Sequence, residues 1–152
     1  MNTVTRAAGE TLVLSGTIED RLFDAVFGKH PSDLQLAAMI ECGFPAQSVD
    51  FLRGEGLTFS EVHDIVLPAR TLKHRKDKKQ ALSVEESDRT LRLTRIIALA
   101  DQVFGNHEKA LHWLRGDNQR LDGRTPMKLL RIEAGADLVR QMLIQIDEGI
   151  YV

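Results

Sequence analysis

A single cysteine, Cys42, stands in a chain of 152 residues. No internal disulfide can form, and an intracellular home is the simplest expectation. Aromatic residues are scarce at 5%, so the apolar 43% is chiefly Leu, Ile, Val and Ala, a mixture that suits packed helices better than a sandwich or barrel. No apolar run approaches the ~20 residues of a membrane-spanning helix. The N-terminus lacks a basic stretch leading into an apolar one, which argues against secretion, and the expected location is cytoplasmic. No segment alternates apolar and polar residues over strand length. The expected fold class is all-α.

Catalytic signatures are missing as well. None of the five histidines forms an i, i+4 ligand pair, and His107 and His112 fall on different helix faces. His63 and Asp64 are neighbours whose side chains diverge on a helix. Cys42 has no histidine nearby and sits beside a helix stop, so it is expected to be a small buried filler. No phosphate-binding loop, nucleophile elbow or dinucleotide fingerprint occurs. Gly116-Asp117-Asn118 and Asp122-Gly123 read as turns rather than a calcium loop. No metal, cofactor or catalytic residue is expected. An enzyme is the weakest reading, kept only because triads assemble in space.

What the chain does have is a concentration of positive charge. Arg70 to Lys79 holds six Lys/Arg against one acid, whereas the 69 residues before it carry four Lys/Arg and ten Asp/Glu, and the formal net charge is -2. A basic block on a mildly acidic chain marks a surface for an anion, most often a phosphate backbone. Thr58-Phe59-Ser60-Glu61 is a capping box that opens a short helix through Val62, Ile65 and Val66. Leu67-Pro68 breaks it, and Pro68 suits the first turn of the basic helix that follows. Short helix, tight turn and basic helix outline a helix-turn-helix. Arg70, Thr71, Lys73, His74, Arg75 and Lys76 are its candidate DNA contacts, with Leu72 as its apolar anchor.

Residues 1–15 read as a loosely held arm. Residues 16–80 carry helices over Thr17 to Phe27 (Ile18, Leu22 and Val26 on one face), from Ser32 or Asp33 to Gly43 (Leu36, Met39, Ile40 inward), and from Pro45 to Gly54, then the helix-turn-helix. Residues 81–152 open on a second capping box, Ser83-Val84-Glu85-Glu86, and the longest helix, Val84 to Phe104. Arg89, Arg92 and Arg95 lie on its outer side. A short helix, His107 to Arg115, and a polar loop lead to Pro126 at the start of another. The final helix spaces Ile132, Ala136, Val139, Leu143 and Ile146 as an apolar seam. That seam and the helix from Val84 are the candidate self-association faces, because operator symmetry normally mirrors a protein two-fold.

The last helix ends in Asp147-Glu148, where the macrodipole favours cations, before Gly149 and the apolar Ile150-Tyr151-Val152. Gly149 suits a Schellman turn on which Ile150 folds back. That turn does not explain the two acids, which read as groups offered to a partner.

Taken together, these segments resemble the Xre/ParS/MbcA antitoxins. The resemblance rests on Arg70 to Lys76, Leu82-Ser83, Glu86-Ser87-Asp88-Arg89, Ala98-Leu99-Ala100 and Val103-Phe104-Gly105. It continues through Ala110, Trp113-Leu114, the Gly123-Arg124-Thr125-Pro126 step into Leu129-Leu130, and Gly135, Val139, Leu143, Ile146 and Gly149. It runs from about residue 30 onward and departs from the usual look at Glu133-Ala134. It implies a helix-turn-helix head followed by a C-terminal helical toxin-binding domain. The partner it implies is a RES-domain toxin that attacks NAD or transfers ADP-ribose. It further implies repression of the protein's own operon and a homodimer within a larger complex. The residues then expected against the toxin are Arg124, Pro126, Asp147, Glu148, Gly149, Ile150, Tyr151 and Val152. The alternative is a stand-alone regulator whose C-terminal half dimerises or senses a ligand.

Overall fold

The computed structural model describes residues 16–150, together with the backbone of two short strands near the N-terminus. Strands β1 (Asn2–Thr5) and β2 (Thr11–Leu14) pair antiparallel, with Asn2 opposite Leu14 and Thr5 opposite Thr11. The expected arm thus holds a strand pair. Four-residue runs are too short to register as alternation, yet their Thr and Val residues favour extended backbone. From Gly16 on the fold is helical, as its apolar spacing requires.

Thr17 caps α1 (Ile18–Leu22), which widens into a π-helical turn, Phe23–Phe27, and stops at left-handed Gly28. The π turn shifts the helical phase. Phe23 is buried, while Val26 is only half-buried, and Phe27 meets Phe44 edge-on at 5.1 Å. Ser32 caps α2 (Asp33–Cys42), and α3 spans Gln47–Gly54. Both anticipated capping boxes form, Thr58 with Glu61 before α4 (Phe59–Ile65) and Ser83 with Glu86 before α6 (Val84–Phe104). Between them, Pro68 is the N-cap of α5 (Ala69–Asp77), one position before the expected first turn. The remaining helices are α7 (His107–Arg115), α8 (Pro126–Leu129) and α9 (Glu133–Asp147), with a 3-10 turn at Gln119–Leu121.

The 21-residue α6 is the central beam, packed by α1, α2, α3, α7 and α9. Leu93, Ile96, Ile97 and Ala100 are wholly buried along it. Its buried hydroxyls are satisfied within the helix: Thr90 and Thr94 donate to carbonyls four residues back, at 2.8 and 2.7 Å. Ser87 donates to Ser83 O and accepts from the Phe44 amide. One apolar cluster runs from Ile18 through the head to Leu143.

Three expectations are corrected. Cys42 is exposed. It lies six residues past Leu36, the buried residue of α2, and six steps of helix carry it to the far face. Val139 and Leu143 are 0% exposed within the chain's own core, so that seam faces α6 and not a second copy. Ile132 lies outside the seam as the exposed N-cap of α9. Among the described residues no helix is long and apolar enough to cross a membrane.

Candidate functional site

The basic helix is set by its single buried residue, Leu72, and by the turn residues Val66 and Leu67, which are 1% and 2% exposed. Its phase then follows. Arg70, Lys73 and His74 share the outer face and are exposed, whereas Arg75 and Lys76, three and four residues beyond Leu72, turn toward the protein. Arg75 Nε donates to Oε1 of Glu86 at 3.1 Å, and that carboxylate also caps α6 through the Ser83 amide at 2.7 Å. Lys76 Nζ meets both carboxylate oxygens of Asp50 at 2.7 and 2.8 Å. Thr71 is half-buried. Of the six candidate contacts, the structure therefore presents Arg70, Lys73 and His74 freely outward. Lys76 is exposed but ion-paired, and Arg75 is a brace between α5 and α6. Beside that brace, a groove of about 740 Å³ is lined by Gln47, Asp50, Arg75, Lys76, Lys79 and Gln80.

The helix that precedes the turn carries an exposed aromatic. Phe59 is 57% exposed, stacks edge-on against His63 with centroids 4.2 Å apart, and has the Arg53 guanidinium 5.9 Å above its ring. His63 Nδ1 lies 2.9 Å from Leu67 O, which ties the helix to the turn.

At the other end, Gly149 adopts φ 70° and closes a full Schellman motif: its N–H donates to Ile146 O at 3.1 Å and that of Ile150 to Gln145 O at 2.9 Å. Ile150 does not fold away and is 66% exposed. Asp147 ends the helix, Glu148 is its C-cap, and both carboxylates face solvent. Tyr151 and Val152 lie outside the described residues. Pro126 is buried at the start of α8, where Thr125 supplies the cap. Arg124 is exposed and anchors its loop by donating from Nε to Leu121 O at 3.1 Å. Arg120 Nη2 reaches Gln145 Oε1 at 3.0 Å, which fastens the 116–125 loop to α9 just before the acids.

Sequence reasoning missed the joint between these two ends. Arg115, the last residue of α7, forks onto Glu61 with Nε and Nη2 each at 2.8 Å, and Nη2 also reaches Gly56 O at 2.9 Å. Burial works against the Glu61 anion, but hydrogen bonds and charge from Arg115 and the Thr58 cap outweigh it and hold the carboxyl below its ordinary 4.5. Arg92 likewise bridges Asp88 and Glu133, and Arg95 holds Glu19. Helical spacing had placed these arginines on an outer face; Asp88 is a local i,i+4 partner, but Glu133 and Glu19, 41 and 76 residues away, carry no local signal. A cleft of about 590 Å³ between α4 and α8 is lined by Ser60, Glu61, Asp64, Arg115, Lys128 and Arg131. Among the described residues no group of three or more His, Cys, Asp or Glu is placed to hold a metal.

This geometry coincides with known families. Residues 35–95 match the antitoxin Xre-like helix-turn-helix domain, and residues 99–149 match the antitoxin Xre/MbcA/ParS C-terminal toxin-binding domain. The chain is 40% identical over 118 residues to antitoxin Xre of Pseudomonas putida, covering 78% of this chain and 74% of that one. With antitoxin Xre of Yersinia enterocolitica the identity is 30% over 86 residues, covering 56% and 58%. A chain of the crystal structure of the M. tuberculosis MbcT-MbcA toxin-antitoxin complex superposes with a TM-score of 0.52 at 26% identity, covering 70% of this chain and 96% of that chain.

Proposed function

The chain belongs to the Xre/MbcA/ParS antitoxin family, and from that premise we propose that it neutralises a RES-domain toxin and represses its own operon. The observation that carries the reading is the pairing, around one apolar cluster, of an outward basic face on α5 with an exposed end of α9 whose acids are unexplained by helix chemistry. Operator DNA would meet Arg70, Lys73 and His74, with Thr71 and Lys76 at the margin, in a homodimer bound to its toxin. In this role the protein is a binder and repressor rather than an enzyme, acting in the cytoplasm where both partners would lie.

Neutralisation rests on charge. A toxin that consumes NAD must bind the anionic phosphates of that molecule, so its pocket is cationic. Asp147 and Glu148, held at the surface by the Schellman turn, would occupy the pocket or its rim, and Ile150, Tyr151 and Val152 would continue the contact. Arg124 would contribute from the loop fastened to α9. Charge pairs that lose water at an interface cost several kcal/mol when one partner is truncated.

The test is co-expression with the toxin. Reversing Asp147 and Glu148 to Lys, or deleting residues 150–152, is expected to leave folding and operator binding intact while abolishing rescue from NAD loss. The lysines even suit the helix dipole, by a few tenths of a kcal/mol. Full rescue by both variants would move inhibition to the face between Pro126 and Leu143. One observation favours the alternative of a ligand-sensing regulator: the cleft between α4 and α8 joins the two halves and would take a small molecule.

A further inference from the structure

The two halves meet where α7 lies across the turn between α3 and α4. A Cβ placed on Gly56 in that turn would stand 3.4 Å from Leu111 Cδ1 and 3.8 Å from His107 Nε2, so the helix sits close on the backbone. Arg115 fastens its last turn, through Glu61 and Gly56 O. His107 fastens its first. Nδ1 of that ring is 2.7 Å from Oδ1 of Asp101 in α6, and Nε2 is 2.6 Å from the carbonyl oxygen of Glu55 at the end of α3. A carboxylate and a carbonyl are both acceptors. A neutral imidazole owns one N–H and can satisfy one of them; only the imidazolium donates to both.

We propose that His107 is a charge-dependent latch, closed while its ring carries two protons, that holds the toxin-binding half against the DNA-binding head. Loss of one proton leaves one ring nitrogen bare: without the Nε2 proton the bond to Glu55 O that ties α7 to the α3–α4 turn is lost, and without the Nδ1 proton Asp101 no longer orients the ring toward it. The ring's surroundings favour the closed form. Asp101 faces it from α6. Glu55 faces it from the end of α3, its carboxylate paired with Arg21 of α1 at 2.8 Å, and Asp20 of α1 adds a further negative charge near that arginine. Arg21 is the opposing cation. A cavity of about 310 Å³ lined by Arg21, Asp101, Asn106 and His107 lies alongside and gives the ring access to solvent. Burial penalises the cation, but its hydrogen bonds to Glu55 O and Asp101 and the attraction of both acids outweigh that penalty, so the ring titrates above its ordinary 6.5. A raised folded value means that the latch stabilises fully below the unfolded value of 6.5 and fails as pH rises through the folded one.

The experiment needs neither toxin nor DNA. Side-chain nitrogen NMR of the full chain, from about pH 5 to 9, should show both His107 nitrogens protonated at pH 6.5 and a midpoint above that value, which Asp101→Asn lowers. Backbone amide exchange at residues 55–57 and in the first turn of α7, corrected for intrinsic rate, should quicken through the same midpoint. His107→Gln, which has no proton to lose, should exchange quickly at every pH. A ring already neutral at pH 6.5, or exchange that ignores the His107 midpoint, overturns the proposal. The wild-type titration decides even if a variant fails to fold.

Discussion

Arg70 and Arg75 stand in the same basic block and are indistinguishable by composition, yet they do different work. Arg70 lies on the exposed face, whereas Arg75 is one helical turn from Leu72 and braces Glu86, whose side chain is 8% exposed. Arg70→Ala should leave the urea midpoint unchanged within about 0.5 kcal/mol while weakening binding to every DNA sequence and flattening the salt dependence by about one unit of slope. Arg75→Ala strands a nearly buried carboxylate and should cost about 1–3 kcal/mol. Equal stability of the two variants would show the brace to be idle. The block itself was legible in the sequence. The division of labour inside it was legible only through the register set by Leu72, and Asp50 and Glu86 become partners only once α3 and α6 have packed. The same register logic accounts for Cys42, which a helix phased on Leu36 turns outward.

Among elements, the α8–α9 crossing shows how tightly spacing and contact are joined. Gly135 is buried in α9, and a Cβ there would stand 2.0 Å from the Leu129 carbonyl oxygen, a backbone atom that cannot swing aside. Gly135→Ala would improve helix propensity by up to ~1 kcal/mol but force the two helices apart, and overpacking of this kind costs about 1–3 kcal/mol or more. A lower melting temperature is expected despite the better helix former; a higher one would mean that the crossing yields easily. Helix limits were readable because caps and stops are local: Thr58, Ser83, Gly105 and Pro126 act within one turn of themselves. The π turn after α1 and the strand pair near the N-terminus were not. The first is a phase error no residue announces, and the second is shorter than the window in which alternation can be seen. Facing directions on α9 were half legible, since its apolar seam was found but assigned to a second copy when α6 was its partner.

For the whole molecule, the two ionisable joints on α7 pull stability in opposite directions with pH. Glu61 is held below its ordinary 4.5, so its contribution is present above 4.5 and fades as acid protonates it through the lower folded value. Glu61→Gln preserves the capping-box chemistry but removes the charge that Arg115 grips. The wild type should therefore exceed this variant in urea midpoint at neutral pH, and the gap should close as pH falls below 4.5; a gap independent of pH would count against the ion pair. Because head and C-terminal half share one apolar cluster, unfolding should be monitored as one event in that comparison. The boundary between the two matched families falls inside α6, between residues 95 and 99. A helix has no slack there. One residue inserted or lost in that stretch would swing everything beyond it by about 100° and slide it by about 1.5 Å. Descendants of this protein can thus exchange exposed side chains on either end, but the length of the rod between them is a quantity that inheritance has to keep.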